Sequence, residues 1–206
     1  MLLPLKYRIC CLLASLIVFH CLQAKEKPVI TYLGIEHGLS NNQVTCIYQD
    51  HRGFMWFGTY DGLNQYDGYS FKVYRNRLKD PGSLIHNFIN VITQDATGNL
   101  WVGTRRGVSI YNSSTASFSP LYYTPYGEKV IKPAYFATWA IRAGTNDNMY
   151  IATAGAGLLF YNRKTQRAVQ LPFKQGAVSD TRYYASALEY DNNHRLWVFI
   201  LSLIHI

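Results

Sequence analysis

The chain has 206 residues and a formal net charge of +8, with 16% charged residues and 15% aromatic residues. This length allows one or two hydrophobic cores, and the low charged fraction excludes a disordered or coiled-coil protein. The basic residues are scattered rather than clustered, which argues against nucleic-acid binding. Its 17 tyrosines and 15 glycines favour a β-rich chain of short strands and tight turns.

Residues 1–24 form a separate segment at the start of the chain. A basic start precedes an apolar run over residues 9–22, and the small residue Ala24 follows, which is typical of a secretory signal peptide. A transmembrane helix is the weaker alternative, because the run is short and His20 interrupts it. Lipid attachment at Cys21 is weaker still, because a bulky His precedes it. We therefore predict export from the cytoplasm.

Three of the four cysteines lie in this leader, which leaves Cys46 alone in the rest of the chain. No internal disulfide is then possible. Cys46 falls within an apolar strand pattern and is predicted to be a small buried hydrophobic residue. No histidine or cysteine cluster has metal-ligand spacing, so we predict neither a metal nor another cofactor.

A repeat organises the remaining sequence. The stretch GFMWFGTYDGLNQYD at residues 53–67 is echoed by GNLWVGTRRGVSIYN at residues 98–112. A period in the forties is typical of a β-propeller or a solenoid. Aligned on one aromatic residue, the units are spaced by 45, 49 and 47 residues, at Trp56, Trp101, Tyr150 and Trp197.

Each unit has the pattern of four short strands. In the first unit the runs VTCIYQD, GFMWFGT, GLNQYD and FKVY are separated by turn residues. A repeat built from helix pairs would need a period of 3.6, which is absent. We therefore predict an all-β fold of four-stranded antiparallel propeller blades. Residues 25–198 would form an incomplete propeller of about three and a half blades, near residues 40–75, 85–120, 136–172 and 183–198.

The recurring residues have structural explanations. An Asp followed three residues later by Gly fits a β-turn in which the Asp caps backbone amides and the Gly adopts a positive φ. The Trp supplies apolar area between blades, and the next Gly permits close backbone approach. His194 replaces the turn Gly in the fourth unit, which predicts strain there. The scaffold residues are Asp50, Gly53, Trp56, Gly58, Gly62, Asp95, Gly98, Trp101, Gly103, Gly107 and Trp197.

The repeat pattern ends before residue 199. Where a Gly-Thr pair and a turn are expected, the chain continues FILSLIHI. We interpret residues 199–206 as an off-pattern tail from a truncated or read-through end, and the chain as a fragment of a longer protein.

Residues 36–74, EHGLSNNQVTCIYQDHRGFMWFGTYDGLNQYDGYSFKVY, resemble the opening blade of the two-component regulator propeller family. The resemblance is strong over residues 31–119 and weaker over residues 135–198. It implies paired seven-bladed propellers outside the inner membrane, followed by a β-sandwich, a membrane span and a kinase. It also implies a homodimeric hybrid histidine kinase of the kind common in gut Bacteroidetes, which usually senses carbohydrate in the periplasm.

The arrangement of loops suggests where a ligand would bind. In an up-and-down blade the Asp-x-x-Gly turns share one face, and the variable connections share the opposite one, where binding usually resides. Tyrosine rings there offer flat faces for sugars, and Arg and Asp offer hydrogen bonds. Packing beneath a loop is the competing explanation for any one tyrosine. The candidate ligand-binding residues are Tyr60, Asp61, Arg105, Arg106, Tyr122, Tyr123, Tyr126, Tyr183 and Tyr184.

Three functions compete. The leading hypothesis is the extracytoplasmic, periplasmic ligand-sensing propeller of a two-component histidine kinase. It would bind an oligosaccharide or polysaccharide fragment, control transcription of polysaccharide-use genes, and reach the membrane through a downstream span. An exported lyase or glycosidase would need converging carboxylates, and the acidic residues on the variable face do not recur by position. We therefore predict no catalytic residue here. The third alternative is a protein-interaction propeller.

Overall fold

The computed structural model describes Pro4, residues 30–173 and residues 184–201. The predicted signal peptide and most of the predicted tail lie outside these ranges. The chain divides into a unit Met1–Tyr32 and a compact unit from Leu33 onward, and the second unit is described below. No helix in the described ranges has the length and apolar character needed to cross a membrane.

Two complete blades begin this unit, after a short 3-10 helix at Ile35–His37. Each is a four-stranded antiparallel sheet whose strands are neighbours in sequence order, which confirms the predicted fold class. Blade 1 consists of β1 (Val44–Gln49), β2 (Met55–Thr59), β3 (Gly62–Tyr66) and β4 (Phe71–Tyr74). Blade 2 consists of β5 (Ile89–Gln94), β6 (Leu100–Thr104), β7 (Gly107–Asn112) and β8 (Ser117–Pro120).

Blade 3 is larger than the sequence analysis indicated. The segment before it, treated there as a loop, folds into a hairpin whose first strand pairs in parallel with the last strand of the blade, so the sheet has six strands. The hairpin is β9 (Tyr122–Thr124) and β10 (Lys132–Pro133). The blade follows as β11 (Thr138–Ala143), a 3-10 turn at Thr145–Asp147, β12 (Met149–Thr153), β13 (Gly157–Asn162) and β14 (Arg167–Gln170).

Blade 4 is represented by an antiparallel pair, β15 (Tyr184–Tyr190) and β16 (Leu196–Leu201). Residues 199–206 were predicted to form an off-pattern tail. In the structure, Phe199, Ile200 and Leu201 continue β16 and pair with β15. The remaining tail residues lie outside the described ranges.

Tryptophan rings fill the space between neighbouring blades. The Trp56 ring lies 5.6 Å from the Tyr111 ring of blade 2, and the Trp101 ring lies 4.8 Å from the Tyr161 ring of blade 3. Both indoles are only 1% exposed. Full burial of a large apolar side chain stabilises a fold by about 1.5–3 kcal/mol, so each ring contributes on this order to holding neighbouring blades together.

Neighbouring blades approach closely at Gly58. A Cβ atom at this position would lie 2.5 Å from Cys46 Sγ and 2.7 Å from a methyl carbon of Ile89 in blade 2. Only glycine fits such a contact without displacing its neighbours. Burial of the Cys46 thiol in the same contact raises its pKa to about 11.

The Asp-x-x-Gly turn is tied directly to the tryptophan of its blade. The Asp50 carboxylate accepts the backbone N–H groups of Arg52 (2.9 Å) and Phe54 (3.1 Å), and also Trp56 Nε1–H (2.9 Å). We call this arrangement the Asp–Trp turn. It recurs at Asp95 with Trp101 and at Asp191 with Trp197, with Nε1–Oδ2 distances of 3.0 and 2.9 Å.

The last position of this turn is left-handed in every blade. Gly53 and Gly98 have φ values of 90° and 88°, whereas Asp147 and His194 occupy the same position with φ values of 60° and 58°. Residues with a side chain are strained in this region. His194, which stands where blades 1 and 2 have glycine, therefore has a strained backbone conformation.

Candidate functional site

The blades present two unlike faces. The turn face carries the Asp-x-x-Gly turns and the connections between third and fourth strands. The loop face carries the second-to-third connections and the segments between blades, which include residues 75–88 and 121–137. Seven of the nine candidate ligand-binding residues lie in these loop-face segments.

Phe88 brings two candidate residues together near the start of β5. The Tyr60 ring is stacked on it with centroids 4.2 Å apart, and the Arg105 guanidinium carbon lies 3.9 Å from the same centroid. Both groups cannot occupy one face of the ring at these distances, so Phe88 lies between them. One face of Tyr60 is thus already covered, although the side chain remains 45% exposed.

Asp61 braces the connection between blades 1 and 2. Its Oδ2 atom lies 3.0 Å from Arg75 Nη2, and its Oδ1 atom accepts Asn87 Nδ2–H at 3.1 Å. The Asp61 and Arg75 side chains are about half exposed, so their ion pair adds only about 0–1 kcal/mol to the stability of the fold. Its main effect is to fix the position of the connection. Both carboxylate oxygens already have a partner, so Asp61 serves first to hold this connection in place.

Residues 75–88 are held in place by their own polar groups. Asn76 N–H donates to Asn87 Oδ1 (2.7 Å), and Arg77 N–H donates to Ser83 Oγ (3.0 Å). Two bonds then join the segment to blade 2, from Ile85 N–H to Ser109 Oγ (3.0 Å) and from Phe118 N–H to Gly82 O (2.8 Å). Because these hydrogen bonds hold the connection in one conformation before a ligand arrives, binding costs less conformational entropy.

A cavity of about 410 Å³ opens between this connection and the segment that precedes blade 3. We call it the Arg106 cavity. Tyr122 and Tyr135 line it and are 51% and 48% exposed, so both rings remain available to a ligand. Its other lining residues are Asn76, Asp80, Pro81, Ser83, Leu84, Ile85, Arg106, Ser109 and Pro120.

The remaining candidates do not join this cavity. Tyr123 faces inward from β9, is only 6% exposed, and packs its ring edge-on to Phe136. Tyr126 is exposed at the tip of the hairpin. Tyr184 lies in β15 with its ring 6.1 Å from that of Trp139. Tyr183 lies outside the described residues.

The Arg106 cavity is electropositive on one side. The Arg106 guanidinium carbon lies 5.6 Å from the centroid of the Tyr135 ring. Within the described ranges, no carboxylate oxygen comes within 4.0 Å of a guanidinium nitrogen of Arg105 or Arg106. Burial lowers the pKa of nearby His86, and the positive charges of these two arginines lower it further.

The described carboxylates of the loop face do not converge on a reacting centre. Glu128 lies 2.6 Å from Lys132 Nζ, and Asp80 Oδ1 accepts the N–H of Gly82 at 3.0 Å. Asp61 is engaged as above. In the part of the chain that the structure describes, no cluster of three His, Cys, Asp or Glu side chains is arranged to bind a metal.

The chain is similar to known proteins in sequence. A family model, "Two component regulator propeller", matches residues 38–61 and 83–106, which contain the first two strands of blades 1 and 2. Over 47 residues the chain is 51% identical to a histidine kinase of Formosa agariphila. This match covers 23% of the chain and 3% of the kinase.

In structure, the chain resembles the extracellular domain of a B. thetaiotaomicron protein described as a one-component system, with a TM-score of 0.65 at 20% identity. The likeness covers 85% of this chain and 25% of that one. A second structure of the same protein's extracellular domain, described there as part of a hybrid two-component system, gives a TM-score of 0.64, also at 20% identity, over 83% of this chain and 24% of the other. The chain therefore spans about a quarter of these relatives, and at this identity the likeness shows a shared fold.

Proposed function

We propose that this chain, which carries repeats of the two-component regulator propeller family, is the extracytoplasmic sensing region of a histidine kinase and binds carbohydrate on its loop face. The matched kinase is far longer than the matched segment. A kinase core, a membrane span and a homodimer interface would therefore belong to a longer protein. Its output would be transcription of polysaccharide-use genes.

The Arg106 cavity is the observation that carries this proposal. It is large enough for one or two sugar rings, and Tyr122 and Tyr135 present half-exposed aromatic faces beside hydroxyl and amide groups. Ligand sites commonly combine apolar walls with a few convergent polar groups in this manner. The hydrogen-bonded connection at residues 75–88 keeps one wall in place without a ligand.

The position of the cavity suggests how binding would be transmitted. One wall belongs to the connection between blades 1 and 2, and the other to the segment between blades 2 and 3. A sugar that touches both walls links segments that belong to different blades. Binding changes a signalling equilibrium only if the sugar has a higher affinity for one blade arrangement than for another.

Calorimetry of the full chain with neutral and acidic oligosaccharides tests the proposal. Tyr122→Ala removes an aromatic wall of the cavity, and we expect it to weaken binding by about 5- to 30-fold, because an aromatic contact contributes about 1–2 kcal/mol with its buried area. Tyr69→Ala is the matched control, because Tyr69 is 95% exposed on the turn face. Absence of binding by any oligosaccharide, or equal losses in the two variants, would overturn the carbohydrate site.

A further inference from the structure

We propose that the Arg106 cavity selects an acidic sugar, whose carboxylate or sulfate group is bound by the Arg106 guanidinium. This inference rests on the proposed function, since it names the class of carbohydrate that the cavity takes. It concerns one end of the cavity, where Arg106 and Tyr135 meet.

Arg106 is one of four arginines in the described ranges that have no acidic partner, and it is the one of these four that lines the Arg106 cavity. Arg75, Arg142 and Arg195 each lie within 3.0 Å of a carboxylate oxygen, from Asp61, Glu189 and Asp191 respectively. Among the described residues, Arg106 has no carboxylate within 4.0 Å, and its side chain instead lies over the Tyr135 ring. A planar guanidinium in this state retains its donors for an oxyanion, which it binds in a bidentate manner.

The Arg106 backbone is also held in place. Its N–H donates to Thr104 Oγ1 at 3.1 Å, and the Thr104 hydroxyl donates to Gly107 O at 2.8 Å. Thr104 is fully buried. The arginine is therefore presented from a rigid turn, so that binding an oxyanion orders the side chain alone.

Neighbouring charges favour an anion at this end. Arg105 carries a second guanidinium without a carboxylate partner in the described ranges, and both arginines act on His86. An oxyanion at Arg106 would also be attracted by this second positive charge. A neutral sugar would gain no such attraction.

Asp80 would orient the sugar. It lines the same cavity, but its carboxylate oxygens lie more than 4.0 Å from the guanidinium nitrogens of Arg106, and its Oδ1 atom accepts the Gly82 N–H. A carboxylate repels an oxyanion and accepts hydrogen bonds from hydroxyl groups. The acidic group would therefore lie at Arg106, and sugar hydroxyls would lie at Asp80 and Ser83.

The test compares trigalacturonate, a sulfated chondroitin disaccharide and neutral maltotriose by calorimetry with the full chain at low salt. We expect at least one acidic sugar to bind about 10- to 100-fold more tightly than maltotriose, because hydrogen bonds to charged groups are the strong ones. Arg106→Gln should remove this preference. Lys164→Gln, which removes one positive charge from an exposed position on the turn face, should leave it intact.

The outcomes separate this inference from the proposed function. Preference for trigalacturonate alone assigns a carboxylate. The chondroitin disaccharide carries a uronate carboxylate as well as its sulfate, so a preference for it assigns the sulfate when the unsulfated disaccharide does not share it, and the carboxylate when it does. If maltotriose binds as tightly as both acidic sugars, or if Arg106→Gln keeps the acidic preference, the inference is overturned while carbohydrate binding stands. If none of the three sugars binds, both are overturned.

Discussion

The turn face and the loop face of the blades differ in how strictly they repeat. On the turn face the same indole-to-carboxylate bond recurs in blades 1, 2 and 4, at 2.9, 3.0 and 2.9 Å. On the loop face the equivalent connections also share a framework, a backbone bond to the preceding segment and a Thr hydroxyl that donates to a Gly carbonyl. The side chains that this framework presents differ, and the connections begin with Tyr60, Arg105 and Ala154. The repeated face maintains the blades, and the varied face is available for recognition.

Blade 3 shows what the turn face requires. It has Gly144 where the other blades have Asp, and Tyr150 where they have Trp. A Cβ atom on Gly144 would lie 2.6 Å from Tyr150 Cε2, so the tyrosine ring occupies space that the Asp side chain would need. The two positions have changed together, which indicates that they form one packing unit.

The largest expected effect is the loss of an Asp–Trp turn. Asp50→Ala removes three hydrogen bonds from a carboxylate that is only 5% exposed and leaves the buried Trp56 N–H without its partner. We expect the free energy of unfolding to fall by about 2–4 kcal/mol, from the lost cap and the unsatisfied indole. Urea unfolding measures it. Asp67→Ala, in an exposed turn on the same face, should cost clearly less, and equal losses would contradict the account.

A second prediction converts blade 3 to the common pattern. Gly144→Asp alone should destabilise the chain by about 1–3 kcal/mol, because the new side chain collides with Tyr150. Adding Tyr150→Trp should recover part of this loss by forming the Asp–Trp bond, with a coupling energy of about 0.5–3 kcal/mol. A double-mutant cycle by urea unfolding gives this energy. Additive effects of the two changes would show that the positions are independent.

Acid should weaken the Asp–Trp turn of blade 2. Burial raises the pKa of Asp95, but hydrogen bonds from Thr97, Trp101 and Asn99 outweigh it and hold the pKa below its ordinary value of 3.8. Because the folded pKa is the lower one, the stabilisation is complete above pH 3.8 and is lost as the pH falls through the folded pKa. The stability difference between wild type and Asp95→Asn should therefore shrink below pH 4. A difference that is independent of pH would refute this.

The smallest expected effect concerns the left-handed turn position. His194→Gly should stabilise the chain by about 0.5–1 kcal/mol, because glycine relieves the cost of a positive φ but loses more entropy on folding. Gly53→His is the reciprocal change and should destabilise it. Thermal unfolding of both variants provides the comparison. A stabilising Gly53→His would mean that φ does not govern this position.

The turn face could be predicted from the sequence because its pattern is local. Asp50, Gly53 and Trp56 recur at a fixed spacing, which predicted the turn, the positive φ at its end and the strands around it. The bond from the indole to the carboxylate was missed, although Asp and Trp stand six residues apart in blades 1, 2 and 4. Spacing alone does not show that the ring folds back under the turn.

The loop face could not be predicted in the same way, because long-range pairing decides it. Tyr122 and Tyr123 alternate outward and inward before a Pro-Tyr-Gly turn, which is a hairpin signal. The pairing of Tyr123 and Thr124 with β14, however, joins residues about 45 positions apart. The Arg106 cavity likewise joins three segments. Adjacent tyrosines therefore looked equivalent in the sequence, and only one of them faces the cavity.

Hydrogen exchange of the full chain with saturating trigalacturonate or maltotriose tests most directly whether recognition lies on the loop face. We predict slower amide exchange in residues 76–88 and 121–135 with at least one sugar, and unchanged exchange in the turns at residues 50–53 and 95–98. Protection confined to those turns, or no protection with either sugar, would contradict the account.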